Sequence, residues 1–127
     1  MKFAKPFLYG SFIVAIAGMS FVIWAGSALG PEPEALAALR SDDHVSVSLD
    51  EYVVFQPASR QVSTAFVFYP GGRVDYRSYA APLRRIAAEG YLVILPPVRL
   101  NLAFFDSNAA DVPIASFPEI RHWVVGG

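Results

Sequence analysis

The chain has no cysteine, only two histidines, and no lysine beyond Lys5. Without cysteine there is no disulfide framework, no thiol nucleophile and no Cys-ligated zinc, so any folded part is held by its apolar core. His44 and His122 lie far apart, with no HxxxH or HxH spacing, and no metal site is expected. Downstream of Gly30 eight arginines face eleven acidic residues, a net charge of −3. That surface is mildly acidic and carries no basic stripe, so nucleic-acid binding has no basis. No repeat, low-complexity tract or cofactor-binding motif occurs, and no cofactor is expected.

Charge is absent altogether between Lys5 and Glu32. Phe7 to Leu29 is apolar apart from glycines and from Ser11, Ser20 and Ser27. As a helix it spans roughly 34 Å, enough for a hydrocarbon core of roughly 30 Å. Lys2 and Lys5 precede it and Pro31-Glu32-Pro33-Glu34 follows. The positive-inside rule therefore predicts a single-pass membrane protein, with a cytoplasmic N-terminus and an extracytoplasmic C-terminal domain. We read the segment as an uncleaved signal anchor. The rival is a signal peptide cleaved near Ala25-Gly26-Ser27 or Gly26-Ser27-Ala28, which makes the protein secreted, but signal h-regions are shorter than this run. A buried core helix is disfavoured because the run leaves no polar face.

Three regions follow: an anchor or signal segment at 1–30, a linker at 31–44, and a domain at 45–127. Pro31 to Glu34 is a stiff charged spacer, and Ala35 to Arg40 a short helix former at the membrane surface or at the spacer's end. His44 to Leu49 alternates with period two, and Tyr52 to Phe55 follows as its hairpin partner. Gln56 to Gln61 is a loop. Ser63 to Tyr69 is nearly continuous apolar sequence, the signature of a strand buried on both faces of a parallel sheet. Pro70-Gly71-Gly72 ends it. Asp75 or Ser78 is a plausible N-cap for a helix that places Tyr79, Leu83, Ile86 and Ala87 on one face and leaves Arg84 and Arg85 solvated. Gly90 sits where a C′ glycine belongs. Tyr91 to Leu95 is a second buried strand, stopped by Pro96-Pro97. A weaker helix near Asn108 to Phe117 leads to a third buried strand, His122 to Val125, in which Trp123 is core. The order is strand, helix, strand, helix, strand, an α/β pattern.

Ligands of open α/β sheets bind beyond the carboxyl ends of the strands. Tyr69 to Arg73 is the most suggestive of the three such ends. There bare glycine amides can approach a ligand close to a helix N-terminus, as an oxyanion hole for acyl transfer requires. Taken alone, the segment reads more simply as a tight turn. Asp75, Asp106 and Asp111 read as capping or loop carboxylates. Ser63 and Ser78 have no histidine nearby in sequence, and both histidines read as structural.

Taken together, Phe66 to Asp75, Ile86 to Pro97, Arg99 to Phe105 and Phe117 to Gly127 resemble the α/β-hydrolase fold family, in its dienelactone-hydrolase-like, lipase/esterase-like branch. The resemblance covers about Val45 to Gly127. It implies that the N-terminal transmembrane helix is followed by the first part of an α/β-hydrolase sheet, so the expected fold is α/β: antiparallel lead-in strands, then βαβαβ, incomplete. It also implies that Tyr69-Pro70-Gly71-Gly72 occupies the position of the family's oxyanion loop, with Gly71, Gly72 and Arg73 as candidate donors. The strand ending at Val125 then leads into the family's Gly-x-Ser-x-Gly elbow, with Gly127 as its first glycine and the acid and histidine further on. No catalytic triad residue is present in this chain.

On these grounds the sequence is expected to be the N-terminal part of a membrane-anchored serine hydrolase for a small ester substrate, inactive alone. The membrane is met through Phe7 to Leu29. The alternative is a complete small non-catalytic membrane protein that binds a partner through an open sheet edge. A small-molecule module using the Gly71-Gly72 loop is a third possibility.

Overall fold

The computed structural model describes residues 4–58 and 61–127. Lys2, and Ser59 and Arg60 of the expected loop, lie outside the described residues. The chain opens with helix α1, Ala4–Gly26, whose apolar side chains from Phe7 to Trp24 all stand exposed. Phe7–Gly26 is long and apolar enough to cross a membrane. Exposure all round suits a helix whose solvent is hydrocarbon.

Helix α2 is Pro33–Ala37, with proline in its first turn. It is no free spacer. Ala35 and the following Ala38 are buried, and Ala38 joins the core formed around helix α3 (Ala80–Ala88). Arg84 of α3 fastens the contact. Its guanidinium donates to the carbonyls of Ala38 (3.0 Å) and Arg40 (2.5 Å) and pairs with Asp42 at 2.6 Å. Hence Arg84, read from the sequence as solvated, is a clamp on the carbonyl end of α2, while Arg85 is exposed. A cation is favourable at such an end, where carbonyls lack intrahelical partners.

Five strands form one mixed sheet in the order β1-β2-β4-β3-β5. Strands β1 (Val45–Leu49) and β2 (Val53–Pro57) are the antiparallel lead-in pair. Strand β2 also runs antiparallel to β4 (Leu92–Leu95). Strand β3 (Thr64–Phe68) is parallel to β4 on one side and to β5 (His122–Gly126) on the other. Helix α3 covers one face, with Val45, Val53, Phe55, Val93 and Leu95 beneath it. The other face holds Ala65, Val67, Leu92, Ile94 and Ile120, closed by Ala110 just before helix α4 (Asp111–Ser116). Every residue of β4 is buried. Since a fully buried aliphatic side chain contributes about 1.5–3 kcal/mol, this strand is the centre of the fold. Gly90 turns the chain into β4 with φ of 103°, as a C′ glycine should.

Burial elsewhere departs from the sequence pattern. In β3, Ala65 and Val67 are buried whereas Thr64, Phe66 and Phe68 are half-buried. The larger correction concerns β5. It is an edge strand, as the open-edge reading expects, but it is not buried: Val124 and Val125 are 52 % and 53 % exposed. Among the described residues only β3 pairs with it. An apolar strand reads as buried from composition, but burial depends on neighbours that composition does not specify.

Candidate functional site

Strands β3 and β4 point their carboxyl ends the same way, and two loops meet there. The first runs from Tyr69 to Asp75. Pro70 is fully buried at its start. The Gly71 amide donates to the Tyr79 hydroxyl at 3.1 Å, and the Tyr79 ring packs on Phe68 with centroids 4.8 Å apart. A Cβ on Gly71 would lie 2.6 Å from that hydroxyl, so glycine is needed for the approach. The Arg73 amide donates to the Asn101 carbonyl at 2.8 Å, joining this loop to the second, which follows β4. Of the three donor candidates, Gly71 and Arg73 therefore have their amides engaged. Only the exposed Gly72 amide lacks a partner among the described residues.

Tyr69 fixes the base of the loop. Its amide donates to Gly126 at 2.7 Å, while its hydroxyl donates to the Ser107 carbonyl and accepts from the Ala110 amide. Gly127 packs so closely on Tyr69 that a Cβ there would collide with the Tyr69 carbonyl oxygen. The ends of β3 and β5 thus meet over a backbone that admits no side chain at residue 127.

Arg73 does something the sequence did not announce. Its guanidinium donates to the Trp24 carbonyl (3.1 Å) and to the Ser27 carbonyl and hydroxyl (3.3 Å each). It also sits 4.6 Å from the centroid of the Trp24 ring. Asn101 adds a bond from its Nδ2 to the Ala25 carbonyl at 3.2 Å. Leu29 completes the junction by donating to the Arg73 carbonyl and accepting from the Asp75 amide. Both strand-end loops are therefore tied to the carbonyl end of α1. One signal in the sequence could have shown this: the last turn of α1 has no basic residue of its own, so its orphan carbonyls need donors from elsewhere.

Backbone strain collects at the same junction. Arg73, Leu100 and Asn101 have φ of 58°, 54° and 54°, and no other described non-glycine residue is left-handed. Such conformations cost about 1–3 kcal/mol each. A cation at a helix end returns about 0.3–2 kcal/mol, so the dipole alone does not offset the strain. The Leu29 ladder, the Asn101 bond and the Arg73–Trp24 stacking share the remainder.

The carboxylates nearby are structural. Asp75 caps the 3-10 turn Tyr76–Tyr79, and hydrogen bonds from the Arg77 side chain hold its carboxyl below the usual range. The same pair pushes Arg77 up. Asp106 is lowered first by the Arg99 amide and then by its guanidinium. Arg99 also reaches the Phe105 carbonyl. Asp111 begins α4 and is exposed. A cleft of about 380 Å³ opens beside β4's carboxyl end, lined by Tyr52, Pro96, Val98, Arg99, Asp106 and Pro113, among others.

Neither histidine reaches this end of the sheet. His122 stands opposite Thr64, at the start of β3. His44 precedes Val45, and the registers through β2 put that residue level with the start of β4. The amides of Arg121 and His122 donate to the Ser63 carbonyl, also at the far end. Ser78 Oγ is buried without a partner among the described residues, and no histidine stands at its end of the sheet. Trp123 is half-buried against the α4-side core. No metal-holding cluster of His, Cys, Asp or Glu occurs among the described residues.

The molecule is thus an α/β protein in which the Gly71-Gly72 loop after β3 and the loop after β4 meet at the carboxyl ends of parallel strands. Residues 65–127 match the alpha/beta hydrolase family, and this part of the chain belongs to it. The mixed sheet with antiparallel lead-in strands agrees with an incomplete form of that fold. No curated protein and no solved structure matches the chain.

Proposed function

We propose that residues 65–127 form the oxyanion-loop side of a serine hydrolase for carboxylic esters, held at a membrane by α1 with the domain on the extracytoplasmic side. One observation carries the reading. The exposed Gly72 amide is unpartnered at the carboxyl end of β3, between two amides fixed by Tyr79 and Asn101. A preorganised donor of this kind lowers the barrier to tetrahedral-intermediate formation by about 2.7–4 kcal/mol. The close packing of Gly127 on Tyr69 supports the family's arrangement, in which the first elbow glycine lies beside the oxyanion strand.

The 127 residues contain no Gly-x-Ser-x-Gly, so they provide the donor and not the nucleophile. The purified chain should give no p-nitrophenyl butyrate hydrolysis above buffer. Turnover that a serine-directed phosphonate abolishes would overturn the reading. Joined in frame to a segment bearing an elbow serine, acid and histidine, the chain should acquire turnover. In that fusion Gly72→Pro, which deletes the amide hydrogen, should lower kcat about 10²–10³-fold.

A second reading, a non-catalytic membrane protein, is favoured by the outer edge of β5. Its valines are half-exposed and its backbone is available for strand addition. It requires a bound partner strand that Val125→Pro displaces, since the backbone groups of His122 and Gly126, and by period two Val124, face β3, and it predicts no turnover in the fusion.

A further inference from the structure

The geometry points to the carboxyl-end loops lying on the bilayer surface, so that the site takes its ester from the membrane. The argument begins with chain length. Helix α1 ends at Gly26, and Leu29, three residues on, is already laddered to Arg73 and Asp75 of the Gly72 loop. Arg73 and Asn101 bond the last-turn carbonyls themselves. With Phe7–Gly26 spanning the hydrocarbon, Trp24 and the arginine over its ring fall at the headgroup level, where such amphipathic side chains settle. The junction leaves no slack for the domain to stand away from the surface.

What else lies at this end fits a bilayer. The 3-10 turn Ala103–Asp106 directly follows Leu102, whose side chain touches the position of a Cβ on Gly72. It carries Phe104, 68 % exposed, stacked on Phe105 with ring centroids 4.2 Å apart. Beside them is an apolar groove of about 340 Å³ lined by Arg99, Leu100 and Phe105. Exposed paired aromatics are costly in water and favourable at a membrane interface. The groove therefore takes an acyl chain of a bilayer lipid, and the guanidinium of Arg99 faces the headgroups. At the opposite end of the sheet lie Glu89, the two histidines and the exposed Tyr91, with no exposed aromatic pair among the described residues. The lipid-ester substrate rests on the hydrolase reading; the orientation of the loops does not.

The absence of cysteine permits a clean test on the full chain. Ser107→Cys, exposed beside the aromatic turn, and Glu89→Cys, exposed at the far end of α3, are each labelled with an environment-sensitive fluorophore. The proteins are reconstituted in phosphatidylcholine vesicles containing lipids with a nitroxide near the glycerol. The label at residue 107 should lose most of its emission while that at residue 89 keeps it. Equal emission at the two sites overturns the orientation. Adding Arg73→Ala and Asn101→Ala should restore emission at residue 107; unchanged quenching overturns their role as ties. The readout involves no ester chemistry. A fusion without turnover therefore removes the lipid-ester substrate and leaves the orientation standing, whereas equal emission at the two sites removes the orientation, and with it the membrane source of the ester, and leaves the hydrolase reading standing.

Discussion

Strands β4 and β5 are both short, apolar and parallel to β3, yet they live in different environments. Strand β4 is buried at every position, paired on both edges and enclosed by the α3-side and α4-side cores. Strand β5 pairs on one edge and leaves Val124 and Val125 half-exposed. The difference is one of neighbours, since Leu-Val-Ile-Leu and Trp-Val-Val are similar in chemistry. Stability is concentrated in one strand, while the other keeps an open edge.

The sharpest way to break this comparison is to truncate both strands alike. Ile94→Ala removes a side chain with no exposure and should cost about 2–5 kcal/mol, from lost transfer energy plus the cavity left behind. Val124→Ala should cost under about 0.5 kcal/mol, because its side chain keeps roughly half its contact with solvent. Thermal melts of the two variants in one detergent measure the gap. Similar melting temperatures would mean that β5 is covered in solution.

The flanking glycines give a second, smaller contrast. Gly90 enters β4 at φ of 103°, so Gly90→Ala should cost about 1–3 kcal/mol whatever the space around it. Gly126 lies inside β5, and an added Cβ meets only the Phe66 ring, at 3.4 Å. Gly126→Ala should be neutral or stabilising by about 0.4–1 kcal/mol, through a less flexible unfolded chain. Opposite signs in the melting shift confirm the contrast; destabilisation by both removes it.

How much of this was legible in the sequence follows the range of the forces involved. Gly90, the β1–β2 hairpin and the run of β4 rest on local backbone preference and periodicity, and they read out directly. The open edge of β5 was expected, but its half-exposed faces were not, because burial depends on which elements cover a strand. Arg84 and Arg73 were misread or missed for a related reason. Their partners, Ala38 and Trp24, lie 46 and 49 residues away in sequence, and an arginine on a helix or in a turn looks solvated until the chain folds. At the candidate site, the Gly71-Gly72 turn was visible. Which amide it leaves unpartnered was not, since Tyr79 and Asn101 reach it only through tertiary packing.

The smallest effect expected is a response to acid on the β4 side alone. Helix α3, which covers β4, is strapped to the α2 segment by Arg84 and Asp42. The Asp42 carboxyl is lowered from 3.8 to about 2, first by the amides of Val45 and His44 and then by Arg84. A carboxylate with a depressed folded pKa contributes stability that is fully present above its unfolded value and is lost as pH falls through the folded one. The strap should therefore loosen between pH 4 and pH 2, within the interval those two values bound. Because the Asp42 side chain is 53 % exposed, solvent keeps the change small. Hydrogen exchange at the amides of Val45 and Val47 should quicken across this window, while those of β5 respond only through their own titrating neighbours. Asp42→Asn should abolish the local response. Arg84→Ala should remove only part of it, since the backbone amides are the larger cause. If Arg84→Ala flattens the profile as fully as Asp42→Asn, the ion pair rather than the turn holds this side of the sheet.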